Sequence, residues 1–159
     1  MPAPRRLAVD DLTHNHIGTF KKLHQVIFPQ EFAPSFYKDA LNPVLTLSKL
    51  AYFNDIPVGC FSVRITPEKN GPRFYIQTLG VLAPYRRCGL GEKMLRYIED
   101  AVREAKGKDV SLHVKEDNEE ARAWYKKLGY GDERLEENYY KKPVTPSGAY
   151  LLRKEMQAR

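Results

Sequence analysis

The chain has 159 residues, 42% of them hydrophobic, and a formal net charge of +6. That length suits one ordinary domain with a full core, so residues 1–159 are expected to fold as a single domain. No apolar run approaches the length of a membrane span, Asp10 and Asp11 interrupt the N-terminal stretch before a secretory signal builds up, and Cys60 and Cys88 lack metal-ligand spacing and read as free thiols.

Residues 6–9 read as a short first strand. Asp11 or Thr13 is placed to cap a helix that carries Ile17, Phe20, Leu23, Val26 and Ile27 on one side, and Phe28-Pro29 ends it because the residue before proline avoids the helical region. Residues 35–41 form a short second helix, closed by Asn42-Pro43. Residues 49–53 and 58–65 make a hairpin around Asn54-Asp55, and residues 73–82 add the third strand of that meander. Leu90, Met94, Leu95, Ile98, Val102 and Ala105 recur near the helical period, and Gly107 terminates that helix. Residues 110–114 are a buried-type strand. Asp117 or Asn118 then caps a helix with Ala121, Trp124, Tyr125 and Leu128, which Gly129 stops. Residues 134–142 and 148–153 are two late strands. The predicted order is β α α β β β α β α β β, a mixed α/β domain without internal repeats.

The most informative stretch is Arg86-Arg87-Cys88-Gly89-Leu90-Gly91. It joins an apolar strand to a long amphipathic helix. A basic, glycine-rich turn at a helix N-terminus is how a fold holds a phosphate, through unpaired amides, the positive end of the helix dipole and the forked donors of arginine. Neither common nucleotide signature is present, since the glycines of Gly89-Leu90-Gly91 are two apart. The other basic residues come as scattered pairs such as Lys21-Lys22 and Lys126-Lys127, with no nucleic-acid-binding motif. A polyanionic small molecule accounts for part of the positive charge. Attraction to ribosomal RNA or plain solvation accounts for the rest.

The pattern R-x-x-G-x-G, preceded here by Ala83-Pro84-Tyr85, resembles the pyrophosphate loop of the GCN5-related N-acetyltransferases, whose element order the chain also follows. Val26-Ile27-Phe28-Pro29, Phe36-Tyr37-Lys38-Asp39, Leu50-Ala51-Tyr52-Phe53-Asn54-Asp55, Leu112-His113-Val114 and Asn138-Tyr139-Tyr140-Lys141 are similar to the branch of N-terminal acetyltransferase E catalytic subunits of the San type. The resemblance implies a mixed sheet of about seven strands with four helices, and a wedge between the fourth strand and the next. It implies transfer of acetyl from acetyl-CoA to the α-amine of proteins that begin with methionine. It also implies acetyl-CoA as co-substrate without a metal, a protein N-terminus as substrate, association with N-terminal acetyltransferase A subunits and the ribosome, no membrane partner, and a cytoplasmic location with the nucleus left open.

By the same resemblance Arg86, Arg87, Gly89 and Gly91 hold the pyrophosphate, and the backbones of Leu79 and Val81 pair with the pantetheine arm as an added strand would. Asn118 contacts the cofactor in the family, though capping its helix is role enough. Tyr75 and His113 hold a water that takes the amine proton, Tyr75 as its orienter because a phenol of pKa near ~10 is a poor base. Tyr125 contacts the cofactor sulfur and returns a proton, with plain core packing as its alternative. Phe28-Pro29 and Tyr139-Tyr140 wall the pocket for the first residue, where a thioether contacts ring edges favourably. Three positions depart from the family pattern: Gln30 replaces an aliphatic residue, Phe32 a tyrosine, and Pro143 a β-branched residue. They put the second-residue preference in doubt. Gln77 is an unusual polar choice suited to reading the substrate backbone.

Competing readings are weaker. A nucleophilic Cys88 has no histidine beside it in sequence, and His14, His16 and His24 make no metal set. A lysine acceptor, with pKa near ~10.4, asks for a stronger base such as glutamate, and the central strands contain none. A purely structural subunit would not need to keep the glycine-rich turn together with Tyr75, His113 and Tyr125.

Overall fold

The computed structural model describes residues 5–141 and 144–156, so Pro143 lies outside the described residues. The elements run β1 (Leu7–Asp11), α1 (Ile17–Ile27), α2 (Pro34–Ala40), β2 (Thr46–Phe53), β3 (Ile56–Thr66), β4 (Arg73–Val81), α3 (Leu90–Glu104), β5 (Asp109–Lys115), α4 (Glu119–Lys127), β6 (Gly131–Glu136) and β7 (Ala149–Glu155). The order is the one predicted. The strands form one seven-stranded sheet, β1-β2-β3-β4-β5-β7-β6. Every neighbouring pair is antiparallel except β4 and β5.

Each face of the sheet carries its own core. The apolar face of α3, with Leu90, Met94, Leu95, Ile98 and Val102, packs on Phe61, Val63, Phe74, Val110 and Leu152. Tyr125 of α4 joins this cluster. On the other face, Phe20 and Leu23 of α1 and Tyr37 and Ala40 of α2 cover Leu50 and Cys60. Alternation along the strands sends neighbours such as Cys60 and Phe61 to opposite cores.

Local chemistry accounts for the turns. Asn54 and Asp55 take φ of 47° and 68°, the left-handed pair that matches hairpin twist. Gly129, at φ 101°, closes α4, while the Tyr130 amide donates back to the Tyr125 carbonyl at 3.0 Å. At the end of α3 the left-handed residue is Lys106 at φ 57° rather than Gly107. Gly107 is still required, because a Cβ there would meet Val102 Cγ1 at 2.7 Å.

The structure corrects several expectations. Neither Asp11 nor Thr13 caps α1. Thr13 Oγ1 bonds His16 Nδ1 at 3.0 Å, and a 3-10 turn over His14–His16 precedes the helix. Val26 is 60% exposed, and the buried positions on α1 are Phe20, Leu23 and His24. Strand β2 starts at Thr46, earlier than expected, because Thr46, Ser48 and Ser62 bury their hydroxyls against one another at 3.1 and 2.9 Å. The first late strand stops at Glu136, and Asn138 turns at φ 56°, so Tyr139 and Tyr140 stand on a loop.

Candidate active site

The parallel pair β4 and β5 sets the site. Their registered contacts are Phe74 with Val110 and Tyr75 with Ser111; beyond these the strands separate. The gap opens into a cleft of about 580 Å³, lined by Phe28, Pro29, Gln30, Gln77, Leu79, His113, Asn118, Tyr125 and Tyr140 among others. Half of the expected site therefore converges here from the segment after α1, from β4, β5 and α4, and from the loop after β6. Phe32 instead stacks on Phe36 at 4.5 Å and lines a smaller hollow of about 430 Å³ behind Phe28 and Pro29.

The β3–β4 register skips Gln77, pairing Ser62 with Thr78 and Val63 with Ile76. Such a bulge re-aims one side chain without ending the strand. Ser62 Oγ donates to Gln77 Oε1 at 3.2 Å, which leaves the amide nitrogen as the free end of the group.

Tyr75, His113 and Tyr139 form one cluster at the cleft. The Tyr75 hydroxyl is 2.7 Å from His113 Nδ1 and 3.2 Å from the Tyr139 hydroxyl, and the Tyr139 ring stacks on His113 at 4.1 Å. Tyr75 and His113 thus bond directly; a water they share must sit on the cleft side of that bond. Burial, followed by the hydrogen bond with Tyr139, raises the Tyr75 phenol, so it stays protonated. On the far side, His113 Nε2 lies 3.0 Å from a carboxylate oxygen of Glu136 on β6. Sequence reasoning missed Glu136. Glu136 lies outside the central strands and reaches the site across β7, whose Ala149 stands opposite both Glu136 and Lys115. Directly paired residues share a face of a sheet, so Glu136, Ala149, Leu151, His113 and Lys115 all face one way.

The glycine-rich turn lies at the other end of the gap. Gly89, at φ 90°, is the N-cap of α3, and no side chain caps the helix, so its first amides face outward. Arg87 is also left-handed at φ 63°. A Cβ on Gly91 would sit 3.5 Å from the Trp124 ring, an ordinary contact, so packing alone does not demand a glycine there. Arg86 Nε donates to the Val81 carbonyl at 3.0 Å, which ties the turn to the end of β4 and occupies an acceptor expected to be open. The Leu82 amide bonds β3 at Val58, and alternation then turns the Leu79 and Val81 backbone groups toward the gap. Tyr125, 7% exposed, has its phenol raised by burial and is both a core residue and a wall of the cleft. Asn118 caps α4, accepting from the Ala121 amide at 3.1 Å, and still lines the cleft.

Comparison with known proteins decides the family. The sequence profile described as "Acetyltransferase (GNAT) family" matches residues 10–130. The chain belongs to the GNAT acetyltransferase family. It is 42% identical over 154 residues to N-alpha-acetyltransferase 50 of Danio rerio, covering 96% of this chain and 90% of that protein. It is 39% identical over 152 residues to the probable N-acetyltransferase san of Drosophila melanogaster, covering 95% and 82% respectively. The solved structure of Arabidopsis thaliana Naa50 in complex with the bisubstrate analogue CoA-Ac-MVNAL superposes with a TM-score of 0.85 at 35% identity, covering 93% of this chain and 97% of that one.

Two further residues shape this acetyltransferase's cleft. Gly80 lets the end of α1 approach β4, since a Cβ there would meet Ile27 Cγ2 at 2.6 Å and the Phe28 ring at 3.0 Å. His24 is fully buried among aromatic rings. The Phe20 carbonyl at 2.8 Å can only accept, so His24 Nδ1 carries the proton and Nε2 accepts from Thr78 Oγ1 at 2.9 Å. Burial lowers its pKa to about 4, and the neutral ring fastens α1 to β4 directly behind Phe28. Gly80 follows apolar Leu79 in the strand, and His24 sits between Phe20 and Ile27 on the helix period. Both were visible as oddities, and only packing explains them.

Proposed function

We infer that the protein transfers acetyl from acetyl-CoA to the N-terminal α-amine of proteins that begin with methionine. The observation that carries this reading is the single cleft between β4 and β5. It brings the Phe28-Pro29 and Tyr140 walls to the His113 that Tyr75 bonds, and the β4 strand that lines it leads at its end into the uncapped, glycine-rich N-terminus of α3. The Arabidopsis relative was solved with an analogue that links CoA to a methionine-first peptide.

The parts divide the work. The amides of the Arg86–Gly91 turn and its arginines suit the pyrophosphate of the cofactor. The backbone groups of Leu79, and the amide of Val81, suit the amides of the pantetheine arm, while Arg86 occupies the Val81 carbonyl. Phe28, Pro29, Tyr139 and Tyr140 close on the methionine side chain, Gln77 offers its amide to the peptide backbone, and Gln30 stands where the second residue passes. The α-ammonium, with pKa near ~7.7–8.0, loses its proton at little cost, so a near-neutral acceptor suffices. Tyr75 and His113 take that proton, directly or through a water. As the new C–N bond forms the nitrogen sheds its second proton, and as the C–S bond breaks the Tyr125 phenol donates to the departing thiolate and is restored by that proton.

We propose further that the enzyme works in the cytoplasm beside N-terminal acetyltransferase A subunits at the ribosome. The net charge of +6 supports an anionic docking partner. Among the described residues no helix is long and apolar enough to cross a membrane. Salt-sensitive sedimentation with ribosomes is the expected result, and none at low salt refutes it.

The chemistry is tested by incubating the protein with acetyl-CoA and peptides beginning Met-Leu, Met-Lys, Ser and Asp-Asp, beside an N-blocked lysine peptide. Mass spectrometry should place acetyl on the α-amine of the Met-first peptides. Acetyl found only on lysine refutes the α-amine reading.

A further inference from the structure

We propose that Glu136 is a positioning residue that completes a Tyr75–His113–Glu136 proton relay at the acceptor end of the cleft. This rests on the acetyl-transfer reading above and assigns that site a third member. The Arg134 guanidinium, 3.0 Å from Glu136 Oε1, holds the Glu136 carboxyl below the usual range, with the His113 bond adding to the effect. Glu136 is therefore an ionised acceptor. His113 Nε2, at 3.0 Å, must supply the hydrogen of that bond. In the neutral ring Nδ1 is then the acceptor, and the Tyr75 hydroxyl at 2.7 Å donates to it.

This chain of donors has one direction. With its hydrogen on Nδ1, the Tyr75 oxygen accepts from the Tyr139 hydroxyl at 3.2 Å and keeps one lone pair for an incoming proton. When the substrate ammonium, or a water bonded to it, gives a proton to that oxygen, the phenolic hydrogen passes to His113 Nδ1. The amine is freed, Tyr75 ends neutral as it began, and His113 becomes an imidazolium next to the Glu136 carboxylate. A phenol raised by burial would not serve as a base alone; it serves as a conduit because no phenolate forms. The orienter, base and donor arrangement is the logic of a catalytic triad.

The other groups around His113 leave this assignment intact. From β4 comes Tyr75, and from the loop after β6 come Tyr139 and Tyr140. From β6 come Glu136 and, behind it, Arg134. From β5 itself comes Lys115, whose Nζ donates to the Thr145 carbonyl at 3.0 Å and lies 3.6 Å from Asp117. Opposite His113 on β7 is the uncharged Leu151. Glu136 is the ionised acceptor in contact with the ring.

The test is kcat and KM on a Met-Leu peptide for the wild type, Glu136→Gln and Glu136→Asp. Losing the carboxylate removes the acceptor that fixes the His113 tautomer, so in Glu136→Gln kcat falls on the order of tenfold, a fraction of the ~10²–10⁴-fold of general base catalysis, with peptide KM little changed. Glu136→Asp restores kcat in part, and acetyl-CoA affinity is unchanged in both. Nitrogen NMR of the wild-type His113 should show the Nε2-protonated tautomer. The proposal is overturned by an Nδ1-protonated ring, by kcat within about twofold of wild type, or by an effect confined to KM for peptides with a basic second residue. Absence of α-amine acetylation by the wild type would instead refute the activity itself, and the ring tautomer would still decide the placement of Glu136.

Discussion

At the scale of single residues, chemistry and binding lie at opposite ends of the cleft, so they should separate under mutation. Tyr75→Phe removes only the hydroxyl that bonds His113. It should lower kcat about 10²-fold, as should His113→Ala, with cofactor affinity nearly unchanged. Titration calorimetry with acetyl-CoA beside steady-state kinetics checks the split, and a full-rate His113→Ala enzyme would end the assignment. Tyr125→Phe keeps the ring that packs on Trp124 at 4.8 Å and Tyr130 at 5.6 Å. It should fold normally, yet lose about tenfold in kcat if its hydroxyl reprotonates the thiolate. A kcat equal to wild type would reduce Tyr125 to core packing. Arg86→Ala acts elsewhere: it unties the turn from the Val81 carbonyl and should raise the cofactor KM.

At the scale of elements, α1 is held on β4 by Gly80 and by a histidine that must stay neutral. The His24 pKa falls from 6.5 to about 4 on folding. Between those values the unfolded chain binds the proton that the folded chain refuses, so stability rises with pH there and drains away on acidification. The loss at and below pH 4 is on the order of 3 kcal/mol from this one residue. Urea unfolding of wild type and His24→Gln at pH 7, 6 and 5 checks it: the wild type should weaken over this range and the variant much less. Equal slopes would place the acid sensitivity in other groups. The same element shows what the sequence could and could not reveal. Phe20, Leu23 and Ile27 announce the helix by period, as Leu90 to Val102 announce α3, because burial against a sheet needs one continuous apolar stripe. His24 lies on that stripe without an apolar signature, and its partner Thr78 is 54 residues away. The start of β2 was hidden for a like reason, since Thr46 and Ser48 look like loop residues until Ser62 of β3 meets them. Tyr139-Tyr140 misled in the other direction. Aromatic residues favour strands, but Asn138 breaks the ladder first, and the rings serve the cleft. Glu136 was the least legible of all, because its tie to His113 depends on β7 lying between β5 and β6 in the sheet.

At the scale of the whole molecule, one sheet separates two cores, and the gap between β4 and β5 is where the sheet is least complete. A ligand that lies along β4, reaches the N-terminus of α3 and touches α4 would tie together elements that few backbone bonds join. It would bind the folded chain and not the unfolded one, so its free energy of binding adds directly to stability. At a free cofactor concentration of 100 times Kd the gain is about 2.7 kcal/mol. For a chain of 159 residues that corresponds to a rise in Tm of roughly 5–10 °C. Thermal melts with and without acetyl-CoA should show this shift. Arg86→Ala and Arg87→Ala should lose most of it at the same cofactor concentration and regain it at higher concentration. His113→Ala should keep it whole, since His113 lies at the acceptor end. High salt should shrink the shift in all of them, because phosphate recognition by a chain of net charge +6 is partly long-range attraction. A wild-type Tm that ignores the cofactor would mean that the glycine-rich turn caps a helix and nothing more.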